Sequence, residues 1–249
     1  MVTIKSDDQI ALMKKANLIV RDTLMLLCEN AKAGVTTMAL NKLAHDYIQK
    51  QNAIPSFLNY AGYPASICVS IDDEVVHGIP SKTKRLEEGQ IVSFDVGAIY
   101  QGWHGDAART VGVGVISDEK QQLIEVTEQC FFKGINSIIP NVTTIGDLGH
   151  AISSHAESFG YGVVRELVGH GIGRKMHEDP SVPNFGRKGH GMKLRTGMTI
   201  AIEPMINLGC AEVDFSSDGW TVRTRDRKPS AHYENTVVIT DNGVVILSL

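Results

Sequence analysis

The sequence predicts an α+β fold in which one curved, largely antiparallel sheet is covered by helices, built from two similar halves (residues 1–116 and 117–249) of a single domain. Two observations predict it. Helical and strand patterns are segregated within each half, with strand-rich runs at 66–116 and 163–240 following a pair of helical patterns. In addition, two stretches recur in the same order at a nearly constant offset. "GVTTMALNKLAHDYI" from Gly34 is matched by "NVTTIGDLGHAISSHAESFG" from Asn141, with Val-Thr-Thr returning 107 positions on. "LEEGQIVSFD" from Leu86 is matched by "LRTGMTIAIE" from Leu194, 108 positions on, each with a Gly, an apolar strand and a closing acid.

Each helix has a start signal. Ser6-Asp7-Asp8-Gln9 is a capping-box pattern, and Ile10, Met13, Ile19, Val20, Leu24 and Leu27 follow at near-helical spacing. Gly34 is the expected stop. A second helix is expected after Thr36 or Thr37, with Leu40, Leu43, Ala44, Tyr47 and Ile48 on one face. In the other half Ser117 caps a helix to about Lys133, and Thr143 or Thr144 caps one carrying Leu148, Ile152, His155 and Phe159.

Composition narrows the class. A chain of 249 residues with 43% hydrophobic and 21% charged residues has the make-up of a soluble globular protein. Its net charge of −4 argues against a nucleic-acid partner. The cluster Arg223, Arg225, Arg227 and Lys228 is broken by Asp226 and reads as a solvated loop. Cys28, Cys68, Cys130 and Cys210 form no C-x-x-C pair, which fits a reducing cytoplasm better than a disulfide framework or a structural zinc site. The opening residues are too charged for a signal peptide, and no apolar run approaches a membrane span.

The stretch "FDVGAIYQGWHGDAART" (94–110) reads as a hairpin that buries two acids. Asp95 and Asp106 lie about five residues either side of a Tyr100-Gln101 turn centre, nearly opposite each other on one face. Two carboxylates about 5 Å apart at an effective dielectric near 20 repel by roughly 3 kcal/mol, so they need a shared proton or a cation. The repeat weighs between these remedies. Glu203 is the positional equivalent of Asp95, and Glu234 precedes a Thr-Val run much as Asp106 does. Four converging acids call for divalent charge, whereas single acids would more often cap strands or pair with arginines.

Histidine is the usual nitrogen ligand. His45, His150 and His155 sit on helices and read as packing or surface residues, while His190 and His232 stay undecided. His170, bracketed by Gly169 and Gly171 in "VGHGIGRKMHEDP", has little around its ring to obstruct approach. His177 follows in the same motif, and His77 in "EVVHGIP" ends a strand. "HEDPS" lacks the second histidine of an H-E-x-x-H zinc site.

The segments "VVHGIP", "DVGAIYQGWHGDAART", "GHGIGRKMHEDP", "GMTIAIEPM" and "DGWTVRTRDRKPSAHYENTVVIT" occur in an order and spacing that resemble the type I methionine aminopeptidases over essentially the whole chain. The resemblance implies the pseudo-symmetric "pita-bread" fold and two divalent metal ions (Mn, Fe, Co or Zn). By it Asp95, Asp106, His170, Glu203 and Glu234 are the metal ligands. Asp106 and Glu234 bridge both ions, Asp95 holds one, and His170 with Glu203 the other. By the same resemblance Glu203 shuttles protons, His177 donates to the scissile carbonyl, and His77 contacts the peptide nitrogen or the tetrahedral intermediate. Tyr60, Tyr63, Cys68 and Trp220 wall a methionine pocket, with Phe57 and Met176 as departures from the usual residues.

The implied activity is removal of the initiator methionine from nascent polypeptides when the second residue is small, by hydroxide generated at the metal pair. A cytoplasmic monomer acting on nascent N-termini, with no membrane or nucleic-acid partner, is the expectation. X-Pro peptidases and metal-free creatinase-like hydrolases share the fold but usually carry an added N-terminal domain, for which 249 residues leave no room. A non-catalytic binding protein on this fold is the rival from another class, and the intact ligand set and both outer histidines argue against it.

Overall fold

The computed structural model describes residues 2–249. Helix α1 (Asp7–Glu29) begins at the expected capping box: Gln9 N–H donates to the Ser6 hydroxyl and Ser6 N–H to the Gln9 side chain. Met13, Ala16, Val20, Leu24 and Leu27 form its buried stripe. The helix ends earlier than the glycine suggests, because Asn30 closes it, donating from its side chain to Leu26 O at 2.8 Å. Gly34 instead turns the chain toward α2 (Thr37–Lys50), which Thr36 caps. In the second half α3 (Asp118–Asn136) is capped by Ser117 and α4 (Ile145–Glu157) by Thr144.

The two halves repeat a local bridge at matching positions. Thr36 bridges to Arg85, and Thr144 bridges to Lys193, each residue of the second bridge standing 108 positions after its counterpart. The repeat therefore aligns Thr36 with Thr144. The offset of 107 suggested by the Val-Thr-Thr match is a slip of one residue, because Thr143 occupies the place of Val35.

A nine-stranded sheet runs through both halves. At its centre Trp103–Gly112 of the first half pairs antiparallel with Glu234–Thr240 of the second, with Ala108 opposite Glu234. Ile91–Tyr100 flanks one side and Thr199–Ile202 the other, followed by Gly169–Gly171 and Glu178–Val182. The strands that carry the four acids are thus neighbours. α1 packs on the Ile91–Gly112 hairpin, and α2 packs on Ile67–Ile71, sealing a core around Val20, Leu24, Leu40, Phe94 and Val96. α3 and α4 pack on each other over Ile200, Ile202 and Val237. Residues 205–232 make an excursion between the strands of the second half and contribute to two small three-stranded sheets.

The hairpin turn differs from expectation by a residue. Tyr100 pairs with Trp103, leaving Gln101-Gly102 as a two-residue turn with φ of 49° and 79°. Positive φ at both positions is the I′ geometry that matches strand twist, and Gly102 takes it without steric cost. Asp106 consequently faces Gly97, and Asp95 faces Ala108. The acids are diagonal neighbours, not opposite partners, and a shift of two positions keeps them on one face. No helix among the described residues is long and apolar enough to cross a membrane. All four cysteines are free.

Candidate active site

A cavity of about 180 Å³ opens where the central strands meet. Asp95, Asp106, Glu203 and Glu234 form its floor with His170, and His77 and His177 stand at its sides. Phe57, Tyr60, Tyr63, Cys68, Met176 and Trp220 form part of the wall.

Asp106 is 3% exposed and Glu234 is 2% exposed, values at which a carboxylate needs a partner. The Asp106 backbone is pinned from two directions: its N–H lies 3.3 Å from Asn17 Oδ1 of α1 and 3.2 Å from the Thr236 hydroxyl, which in turn donates to Asp106 O. Its side chain is not so served. Asp95 Oδ1, Asp106 Oδ1 and Glu234 Oε1 are buried with no hydrogen-bond partner. The arginine alternative fails on geometry: Arg109 spends its guanidinium on Ala108 O, Glu234 O and Asn235 Oδ1, and stacks over the Tyr233 ring.

The electrostatics follow from that crowding. Burial pushes Asp95 up to about 7. Burial first, then repulsion from Asp95 and Glu203, raises Asp106 well above the carboxylate range. Glu203 is raised by burial and by Glu234 and Asp95, and Glu234 by burial and by Asp106 and Asp95. Four acids that resist ionisation side by side are a site short of positive charge.

His170 supplies the nitrogen. Its Nδ1 donates to Gly171 O at 2.9 Å, which leaves the Nε2 lone pair free; Nε2 lies 3.6 Å from Asp106 Oδ2 and 3.7 Å from Glu203 Oε1. Burial lowers its pKa to about 4, so the ring is neutral. Ligand atoms of Asp106, His170 and Glu234 all lie within 4.8 Å of one another. A neutral imidazole with its other nitrogen committed, beside unpartnered carboxylate oxygens, is a donor set that fits divalent cations such as Mn²⁺, Fe²⁺, Co²⁺ or Zn²⁺. The glycines around His170 have a different reason from the one expected. A Cβ at Gly169 would stand 2.4 Å from Ala201 O, and one at Gly171 would stand 2.1 Å from Asp179 O, so they let neighbouring backbone close on the strand.

The outer histidines are held by aromatic residues. Tyr60 and His177 share a hydrogen bond at 2.7 Å between the hydroxyl and Nδ1, and the His177 ring centroid lies 4.3 Å from that of His170. His77, at φ 59°, stands 6.4 Å edge-on from Trp220, and burial followed by the charge of His177 lowers it to about 4. Tyr63 packs edge-on against Trp220 at 5.0 Å while its hydroxyl donates to backbone at Ile67 and Gly78. Burial pushes the Cys68 thiol well up, which suits a wall residue and not a nucleophile.

Residues 11–241 match the model of metallopeptidase family M24. The chain belongs to metallopeptidase family M24. Methionine aminopeptidase of Clostridium acetobutylicum is 56% identical over 100% of this chain and 99% of its own length. The crystal structure of methionine aminopeptidase from Rickettsia prowazekii superposes with a TM-score of 0.97 at 43% identity, covering 100% of both chains. The prolidase of Pyrococcus furiosus, at 22% identity and a TM-score of 0.79, shares the fold over 65% of its length.

Two further histidines stand near these acids: His104, which the sequence did not single out, and His232, which it left undecided. His104 and His232 each precede a central acid by two residues, in His104-Gly105-Asp106 and His232-Tyr233-Glu234, and both are buried. Carrying the repeat equivalence of Asp106 and Glu234 back two positions would have matched them. His104 Nδ1 is 3.0 Å from the Ser56 hydroxyl. His232, lowered to about 3 by burial and then by His77 and Arg109, lies 3.9 Å from both Glu203 and Glu234. His45 is paired with Ser66, and His155 with Gln129, away from the cavity.

Proposed function

We propose that the chain is a metal-dependent aminopeptidase that removes the N-terminal methionine from nascent polypeptides whose second residue is small. One observation carries the reading: four mutually repelling carboxylates, three of them with a buried oxygen that no hydrogen bond satisfies, line a cavity with a free imidazole nitrogen and aromatic and sulfur-bearing side chains. Asp106 and Glu234 would bridge two divalent ions, Asp95 would hold one, and His170 with Glu203 the other. When bound, such ions supply Lewis acidity toward the scissile carbonyl and lower the pKa of water.

The chain's own residues do the rest. His177 accepts from the Tyr60 hydroxyl at Nδ1, so its proton sits on Nε2, ready to donate to the carbonyl oxygen as negative charge develops. His77, neutral beside Trp220, contacts the peptide nitrogen. Glu203 borders the cavity, where it would accept the proton of water and pass it to the leaving amine. Phe57, Tyr63, Cys68, Met176 and Trp220 offer a soft, apolar wall suited to a thioether side chain. The substrate's free amine, held at the floor, confines cleavage to the first bond. A single cytoplasmic catalytic unit working as a monomer on emerging chains completes the reading.

The test is hydrolysis of Met-Gly-Met-Met with and without added Mn²⁺ or Co²⁺, beside an X-Pro peptide. Metal-dependent release of methionine with little action on X-Pro is expected. No turnover with any metal would favour a binding protein on the same fold.

A further inference from the structure

His232 is fully enclosed, and neither ring nitrogen has a hydrogen-bond partner. A buried polar group left unpaired is a cost that an apolar residue of similar size would avoid. Its counterpart His104 in the first half has Ser56, so the omission is particular to the second half. The ring is not loosely placed. The Thr110 hydroxyl accepts from His232 N–H at 2.9 Å and donates to His232 O at 2.8 Å, and the strand pairs with Met205. The backbone therefore aims Nε2 at one spot, 3.9 Å from Glu203 Oε2 and 3.9 Å from Glu234 Oε2. His170 stands in a similar relation to Asp106 and Glu203 at 3.6 and 3.7 Å. The difference is that His170 lines the cavity, whereas His232 is not among the residues that line it.

We propose that His232 is a positioning residue of the metal centre, whose Nε2–H holds Glu203 and Glu234 from behind in the orientation that receives cations. The inference rests on the ligand reading given above. An ionised carboxylate offers only acceptors, so the nitrogen between two of them is useful as a donor. It lies about an ångström beyond hydrogen-bond distance from each, so a small rotation of a carboxylate is required to make the bond. Groups behind metal ligands fix their orientation, and their loss typically weakens metal binding about 10- to 100-fold. Direct ligation is disfavoured because all five proposed ligands line the cavity and His232 does not.

The test compares wild type with His232→Leu and His232→Gln by calorimetric titration with Mn²⁺, the visible spectrum of the Co²⁺-loaded protein and melting of the metal-free protein. His232→Leu is expected to weaken Mn²⁺ binding by about tenfold or more and to shift the Co²⁺ bands. Its metal-free form should melt at or above wild type, since an unpaired polar group has gone. His232→Gln, which keeps an N–H donor, should recover binding to within about threefold of wild type. A leucine variant that binds Mn²⁺ within about twofold of wild type with an unchanged Co²⁺ spectrum would overturn the proposal, as would equal losses in both variants. Should the leucine variant not fold, His232→Met is judged by the same criteria. A wild-type protein that takes up no Mn²⁺ sinks the ligand reading, whereas normal wild-type uptake with unaffected variants removes His232 alone.

Discussion

The two halves hold equivalent acids by different means. In the first half Asp95 and Asp106 sit on one hairpin of ten-residue strands joined by a two-residue turn, covered by α1. In the second, Glu203 and Glu234 are separated by a long excursion that brings Trp220 to the cavity wall and His232 behind the floor. The first half is a rigid frame. The second carries the same charge pattern but opens the connection to insert a cavity-lining tryptophan and a buried histidine. The repeat places the anionic cluster, and in the proposed enzyme the asymmetry of the connections would supply the specificity.

If the central acids are true equivalents, removing either should cost alike. Asp106→Asn and Glu234→Gln are each expected to lower kcat/KM by at least about a hundredfold and to reduce metal content, read by elemental analysis. A loss confined to one variant would break the comparison. A smaller effect sharpens it. Asp95 has its pKa raised to about 7 in the fold, so the metal-free protein binds more protons than its unfolded chain above the ordinary carboxylate range. The stability that protonation confers is fully present below the unfolded pKa and is lost as pH rises through the folded value. Melting of metal-free protein should therefore fall as pH rises from about 4 to about 7, and saturating Mn²⁺ should reverse the trend at neutral pH. A flat metal-free profile would show that the acids do not confront one another.

The legible parts of this structure were local or strongly patterned. Ser6, Thr36, Ser117 and Thr144 announce their helices because a cap acts within three residues. Asp95 and Asp106 stood out because acids inside apolar runs are costly. The hairpin register was not legible: Gln101 accepts a positive φ that its residue type does not advertise. The need for Gly169 and Gly171 depends on carbonyls of Ala201 and Asp179, and no inspection of the local motif reveals those. His232 stayed undecided since a histidine near a strand edge says nothing alone, and its meaning lies in the distance to Glu203.

Anomalous scattering from a crystal grown with excess Mn²⁺ tests the central claim most directly. Two peaks are expected, roughly 3.5 to 4 Å apart, both within bonding reach of Asp106 and Glu234. No peak among these side chains, or manganese bound only elsewhere, would contradict the account.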